Sequence, residues 1–326
     1  MTALHRSDGE DAVQRDLVIG VDVGGTTVKA AIFDSAGHPY GRSEHATPRH
    51  LGPDAVIATI IHTIAELRKQ VPEDARLRAV GLVVPGVVDA EQGVAVYATN
   101  LGWRQLPLRR IVAEAVGLPV TLDHDVRAAG LAELELGAGG GMQEALFVAL
   151  GTGIAAAVIT RGQVVVGATG RAGELGHLPV FPEGEWCACG QRGCTETYAS
   201  AASLSRRYSA AGGTSDVSAR DVVSRAEAGD PLAGRIFQDA VTALGRALVS
   251  YVLLMDPELI LIGGGMSAAG AALLRPLAHE VQAGLAWRPA PTISNGRFAG
   301  DAGCRGAGLL AWRQVSGRAA PDEVAH

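Results

Sequence analysis

Three cysteines fall within eight residues, Cys187-Ala-Cys189-Gly-Gln-Arg-Gly-Cys194, and His177 stands ten residues ahead of the first. One imidazole and three thiolates fit a tetrahedral Zn²⁺ site, and the intervening glycines allow the sharp turns between ligands. Four protein ligands leave no position for water, so such an ion would be structural. The competing reading is three buried or redox-active thiols. Cys304 lies far along the chain and reads as a small core residue.

A second group of residues suits polyphosphate. The segment Asp22-Val-Gly24-Gly25-Thr26-Thr27-Val-Lys29 directly follows an apolar run. Glycines let backbone N–H groups approach phosphate closely, threonine hydroxyls add donors, and the carboxylate can hold Mg²⁺, usually through water. The segment is neither G-x-G-x-x-G nor a P-loop, which excludes those signatures. A tight hairpin with threonine at its turn is the plainer alternative. Gly151-Thr152-Gly153 repeats the theme in the second half, as a second phosphate grip or another hairpin turn. Gly263-Gly264-Gly265 would admit a flat adenosine against the backbone, or simply lead into a helix. Asp125 stands where a helix begins. A carboxylate there either positions an attacking hydroxyl and accepts its proton or caps the helix, as Asp123 also could.

The elements that carry these residues are legible from periodicity. Leu17–Val23 reads as a buried strand, and Val28–Phe33 as its hairpin partner, closed by the turn Asp34–Gly37. Residues 56, 57, 60, 61, 64 and 67 are apolar, which predicts a helix over Asp54–Lys69. Ala79–Val84 is a strand ended by Pro85–Gly86. Leu108–Val116 is an amphipathic helix stopped by Gly117, and Pro119–Leu122 is a short strand leading to a helix from about Asp125 to Leu136. Leu17–Ile32 and Leu146–Ile159 both read strand, glycine turn, strand, which suits a duplicated fold with a nucleotide between its halves. Helices are expected near 198–209, 217–228 and 231–254, with a strand at Leu259–Ile262 and a frayed tail after about Ser316. Alternation of strands and helices gives an α/β class.

Composition narrows the partners. The 326 residues are 48% apolar and carry a net charge of −6 with no basic block, which argues against nucleic acid. The first sixteen residues lack the apolar stretch of a secretory signal, and the apolar run Ala247–Met255 is too short to span a bilayer. No membrane partner and a cytoplasmic location are therefore expected, where thiols stay reduced.

Taken together, Asp22–Lys29, Asn100-Leu-Gly-Trp103, Asp125, Gly151–Gly153, Gly173-Glu174-Leu-Gly-His177, the three-cysteine segment and Glu196-Thr-Tyr-Ala-Ser resemble the ROK family of bacterial sugar kinases and sugar-responsive repressors. The agreement runs from residue 17 to about 314, and Asn100–Trp103 looks most like the glucokinase branch. The resemblance implies an actin-like ATPase (ribonuclease H-like) duplicated fold, with sugar and MgATP meeting between two α/β domains. Residues 1–16 would be a disordered leader and 17–123 the N-terminal domain. Residues 124–305 would be the C-terminal domain with the zinc loop, and 306–318 a helix packing back on the first. By the same resemblance Asp125 is the base for the sugar 6-hydroxyl, and Gly86, Asn100, His124, Glu174, His177 and Glu196 line the sugar. Asp22, Gly24, Gly25, Thr26, Thr27, Lys29, Gly151, Thr152, Gly153, Gly264 and Gly265 serve ATP and Mg²⁺. His177, Cys187, Cys189 and Cys194 would hold zinc, with the second His177 ring nitrogen facing the sugar. A homo-oligomer, dimer or tetramer, is expected.

Three departures stand out. Around the base, family kinases carry Asn-Asp-Ala-Asn where this chain has His124-Asp125-Val126-Arg127, so His124 would alter sugar preference. Arg127 either lowers the pKa of the base or points to solvent. After Gly153 the chain continues Ile-Ala-Ala-Ala rather than with glycines, which would narrow the approach of phosphate. Family repressors carry a DNA-binding module ahead of the first glycine segment, whereas only about twenty residues, acidic on balance and without a helical module, precede it in this sequence. That leaves a hexose 6-kinase as the main reading, an N-acetylhexosamine kinase as its alternative, and a non-catalytic sugar sensor as a remote one.

Overall fold

The computed structural model describes residues 14–317. Most of the expected leader (residues 1–13) and the end of the expected last helix (residue 318) lie outside the described residues. Strand β1 (Arg15–Val23) opens two residues earlier than its apolar run, because Arg15 and Asp16 extend the pairing with Ala75 and Arg76. β1 turns at Gly24 into β2 (Thr27–Phe33), and β3 (Pro39–Ala46) continues the sheet at its edge. Helix α1 (Pro53–Arg68) starts with proline in its first turn and buries Val56, Ile57, Ile60, Ile64 and Leu67 on one stripe. Next come β4 (Ala75–Val84), then the short strands β5 (Val87–Asp89), β6 (Val94–Ala98) and β7 (Trp103–Leu106). Helix α2 (Leu108–Val116) ends at Gly117 in the left-handed conformation, its N–H bonded to the Ala113 carbonyl. β8 (Val120–His124) runs straight into α3 (Asp125–Glu135).

The second half opens with β9 (Ala145–Leu150), β10 (Ile154–Thr160) and β11 (Gln163–Val164). Helices α4 (Glu196–Ala199), α5 (Ala201–Ala210), α6 (Ala219–Glu227) and α7 (Pro231–Met255) follow. Then come β12 (Leu259–Gly263), α8 (Ala271–Ala283), β13 (Thr292–Asn295) and α9 (Ala302–Val315). Helix α7 is long and apolar enough to cross a membrane, yet Ala240, Leu244, Ala247, Leu248 and Val252 are buried in the second core, where it is a central packing helix.

Duplication is visible in the sheets. The first has the order β3-β2-β1-β4-β8 and the second β11-β10-β9-β12-β13. In each, the central hairpin is antiparallel and the next two strands run parallel to its first strand. β5, β6 and β7 form a separate small sheet inserted between β4 and α2.

Helix α9 fixes how closely the layers approach. Gly20 of β1 and Gly81 of β4 are register partners, forming a trough across the sheet. A Cβ on Gly20 would stand 2.2 Å from the Cys304 carbonyl oxygen, and one on Gly81 would stand 1.8 Å from that of Ala307. On the other side of α9, a Cβ on Gly306 would stand 2.1 Å from the Ala128 carbonyl oxygen of α3. Backbone thus packs on backbone at three points, and the N-terminus of α9 is held over the end of β1.

Candidate active site

The parallel strands β1 and β8 flank β4 in the first sheet, and each delivers a carboxylate at or just beyond its C-terminal end. Asp22 sits one residue before the end of β1, opposite Lys29 in the hairpin. Burial pushes the Asp22 carboxyl up to about 7, and the charges of Asp125 and Asp301 push it the same way against the opposing Lys29. Asp22 rests against the first turn of α9, where a Cβ on Gly303 would lie 2.4 Å from its Oδ2. Lys29 Nζ donates to the Gly300 carbonyl at 3.3 Å. The β1–β2 turn is a tight one: Gly24 N–H bonds Thr27 O at 2.9 Å, and Thr47 holds it from outside through Oγ1 to Gly24 O and N–H to Thr26 O. Thr26 is exposed at its tip, and Gly25 lies beside exposed Asn100.

Asp125 opens α3 without capping it. The N-cap is His124, whose side chain makes no cap bond, while Asp125 Oδ1 accepts only from the adjacent Val126 N–H at 2.7 Å. His124 Nδ1 lies 3.4 Å from the same carboxylate oxygen. Asp123 has a different task. Its Oδ1 accepts from His124 N–H and from Arg127 Nε and Nη2, the last at 2.6 Å. Arg127 is only 3% exposed and also donates to the Gly170 carbonyl at 3.0 Å. Arg127 does not point to solvent, one of the two expectations for it: its guanidinium pairs with Asp123 and fixes the 170 loop to α3.

The β9–β10 turn mirrors the first, with Gly151 N–H bonded to Gly153 O at 3.0 Å. Glu196 faces this turn, and its Oε2 accepts from Ile154 N–H at 2.7 Å. Thr152 is exposed at the tip. Ala155, Ala156 and Ala157 belong to β10, paired with β9, and Ala156 and Ala157 are buried. They do not narrow the turn, contrary to expectation, because the strand has already begun. Gly264 holds a positive φ of 77° with its α-carbon over the Leu150 carbonyl, a place where a side chain would collide. Gly86, also at positive φ, would drive a Cβ to 2.2 Å from the Tyr97 carbonyl oxygen.

Gly264 and Gly265 line a cavity of about 470 Å³, together with Arg220, Ser267, Asn295 and Gly300. Asn295 Nδ2 donates to the Ser267 carbonyl at 3.1 Å, whereas its buried Oδ1 has no partner among the described residues. Arg220, Ser267, Asn295, Gly300 and Asp301 were not among the residues expected from sequence. The signal for Asn295 is its place at the end of a strand parallel to the one that feeds the glycine triplet.

Glu174, His177 and the cysteines lie on one loop folded against β10. Ala156 N–H bonds Gly173 O at 2.8 Å, and a Cβ on Gly173 would reach 1.9 Å from the Ala156 carbonyl oxygen. His177 Nδ1 is 3.8 Å from Cys187 Sγ, and Cys189 Sγ is 3.6 Å from Cys194 Sγ. All four donor atoms lie within 4.8 Å of one another. Thiolates about 2.3 Å from a common ion in tetrahedral array stand about 3.8 Å apart, so the cluster has the spacing for one. Burial opposes ionisation of Cys187, but bonds with Cys189, His177 and Cys194 outweigh it and bring the thiol down to about 7. The other imidazole nitrogen, Nε2, faces outward at 3.9 Å from Glu174 Oε2.

The chain and its fold have counterparts in known proteins. The family model described as ROK family matches residues 18–314. The chain belongs to the ROK family. It is 34% identical over 319 residues to a glucokinase of Halalkalibacterium halodurans, covering 91% of this chain and 95% of that protein. A glucokinase of Thermotoga maritima is 35% identical over 278 residues, 81% and 86% of the two chains. The crystal structure of a ROK family glucokinase from Streptomyces griseus in complex with glucose and AMPPNP superimposes with a TM-score of 0.81 at 32% identity. It covers 91% of this ROK protein and 99% of that chain. The resemblance to the actin-like duplicated fold thus holds.

Proposed function

We propose that the protein is an ATP-dependent sugar kinase that transfers the γ-phosphoryl group to the 6-hydroxyl of glucose. The observation that carries this reading is Asp22 at the end of β1 beside the first glycine turn and Asp125 at the start of α3, in a fold shared with ROK family glucokinases. Asp125 is free to orient the sugar hydroxyl and accept its proton, since among the described residues its Oδ1 meets just the adjacent Val126 N–H and His124 Nδ1. Asp22 would hold the Mg²⁺ that arrives with ATP, which would offset charge on the phosphates. The N–H groups of Gly25 and Thr26 in the first turn and of Thr152 and Gly153 in the second, with Lys29, surround the phosphates from opposite sides. The hydroxyl oxygen bonds to the γ-phosphorus as the bond to the β,γ-bridging oxygen breaks, leaving ADP. The base lies in the cavity lined by Gly264 and Gly265, where the unpartnered Asn295 Oδ1 can accept from the exocyclic amine of adenine.

Glucose hydroxyls are met by Asn100, His124, Glu174, His177 and Glu196, with Gly86 allowing close backbone approach. Zn²⁺ is the ion that suits His177, Cys187, Cys189 and Cys194, and bound there it supplies a rigid crosslink. His177 then offers Nε2 to the sugar from a ring whose tilt is fixed by its other nitrogen. The lobes 17–123 and 124–305 close on the substrates, with α9 bridging them. The reading places the enzyme in the cytoplasm as a homo-oligomer.

The test is release of ADP with MgATP over glucose, mannose, N-acetylglucosamine, N-acetylmannosamine and fructose. Turnover on glucose well above the others supports the reading. A preference for an N-acetylated sugar moves the assignment to an N-acetylhexosamine kinase, and no turnover with any sugar by zinc-loaded protein refutes it.

A further inference from the structure

Outside the site described, one cluster among the described residues has the chemistry of a metal centre. His45 lies on edge strand β3, and His62 and Glu66 stand one turn apart on the face of α1 packed against it. His45 Nε2 is 2.6 Å from Glu66 Oε2, and His62 Nε2 is 3.2 Å from Glu66 Oε1. The two imidazoles meet edge to face with centroids 5.4 Å apart, so both present their Nε2 atoms to one carboxylate. Ser43, on the same side of β3, donates from Oγ to Glu66 Oε2 at 2.8 Å.

We propose that His45, His62 and Glu66 form a second metal site, distinct from the cysteine cluster, that takes a borderline divalent ion such as Zn²⁺, Ni²⁺ or Co²⁺. Two imidazoles and one carboxylate are the donor set such ions favour, with the remaining positions left to water. Donors about 2.1 Å from one ion in tetrahedral or octahedral array lie about 3.0–3.4 Å apart. The three donor atoms lie within 4.8 Å of each other, and His62, 63% exposed, has the freedom to close the difference. Ser43 supports the Glu66 carboxylate from outside, as ligating carboxylates commonly are.

The location gives the ion a consequence. Two residues beyond His45, Thr47 makes both bonds that hold the Gly24–Thr27 turn from outside. An ion joining β3 to α1 would anchor that edge strand.

The experiment uses full-length protein whose cysteine site is saturated with zinc, titrated with Ni²⁺ and followed by calorimetry, metal analysis and melting temperature. One further Ni²⁺ per chain and a rise in melting temperature are expected. H62A and E66Q should each weaken that event at least about tenfold, because losing even an outer-shell partner commonly costs that much. H62A removes an exposed side chain, so its metal-free melting temperature should match wild type while the Ni²⁺-induced rise disappears. Absence of an additional ion in wild type, or equal Ni²⁺ affinity in wild type, H62A and E66Q, overturns the proposal.

Discussion

Replacing Gly303 by alanine separates the position of Asp22 from the stability of the fold. The added Cβ would lie 2.4 Å from Asp22 Oδ2. A carbon and an oxygen at ordinary contact stand about 3.2 Å apart, so one of the two must give by about 0.8 Å. Gly303 is buried in the first turn of α9, whose backbone is pinned through Gly20, Gly81 and Gly306. The short Asp22 side chain is the softer partner and will move. Stability should change little, because alanine in a helix gains up to about 1 kcal/mol over glycine and offsets part of the crowding. Turnover should not escape, since a misplacement of about 1 Å in a catalytic array costs on the order of 100-fold. The expected result is a 10- to 100-fold loss of kcat/KM for MgATP by this estimate, with a melting temperature close to wild type. Gly234→Ala is the control: nothing lies within 4 Å of its Cβ, and α7 should gain stability with no loss of rate. Wild-type kcat/KM in folded Gly303→Ala would refute the assignment of Asp22 to the metal-bound phosphate.

Other expectations follow from single contacts. Arg127→Met strips the partner from Asp123 and the Gly170 carbonyl and should cost about 3 kcal/mol by denaturant titration. The acidic limb of its pH–rate profile should stay in place, because the guanidinium belongs to Asp123 and not to the base; a shifted limb would contradict that. Asp22 has a raised pKa, so the folded state binds its proton more tightly than the unfolded state. In the absence of Mg²⁺, stability should therefore fall as pH rises from about 4 towards 7, and Asp22→Asn should flatten that fall. An identical pH dependence of melting temperature in the variant would reverse the attribution. Cys189→Ser should lose one zinc per chain by metal analysis and raise KM for glucose more than for ATP. Unchanged metal content would remove zinc from the account.

Much of this architecture is written in periodicity, and what is not has physical causes. The two glycine hairpins, α1, α2 and α7 are legible because their buried positions recur at strand or helix spacing. β3 is not, since as an edge strand reading Pro-Tyr-Gly-Arg-Ser-Glu-His-Ala it buries no residue fully and shows no apolar alternation. Helix α8 hides behind Pro276, although Leu273, Leu277 and Val281 form its buried stripe. β5, β6 and β7 are too short to show a period. Within the site, residue types point to phosphate, zinc and an acid–base carboxylate. Distance in sequence hides the rest: Arg127 reaches the Gly170 carbonyl across 43 residues, Gly303 meets Asp22 from the far end of the chain, and the Gly20–Gly81 trough exists only in register.

The most direct measurement is product analysis with MgATP and glucose for wild type and Asp125→Asn, alongside glucose binding to each. The account predicts glucose 6-phosphate and ADP in equal amounts from wild type. The variant should turn over about 10²- to 10⁴-fold more slowly, the usual worth of a positioned base, with glucose affinity within a few-fold. Near-normal turnover by the variant, or ADP formed by wild type without glucose 6-phosphate, would contradict it.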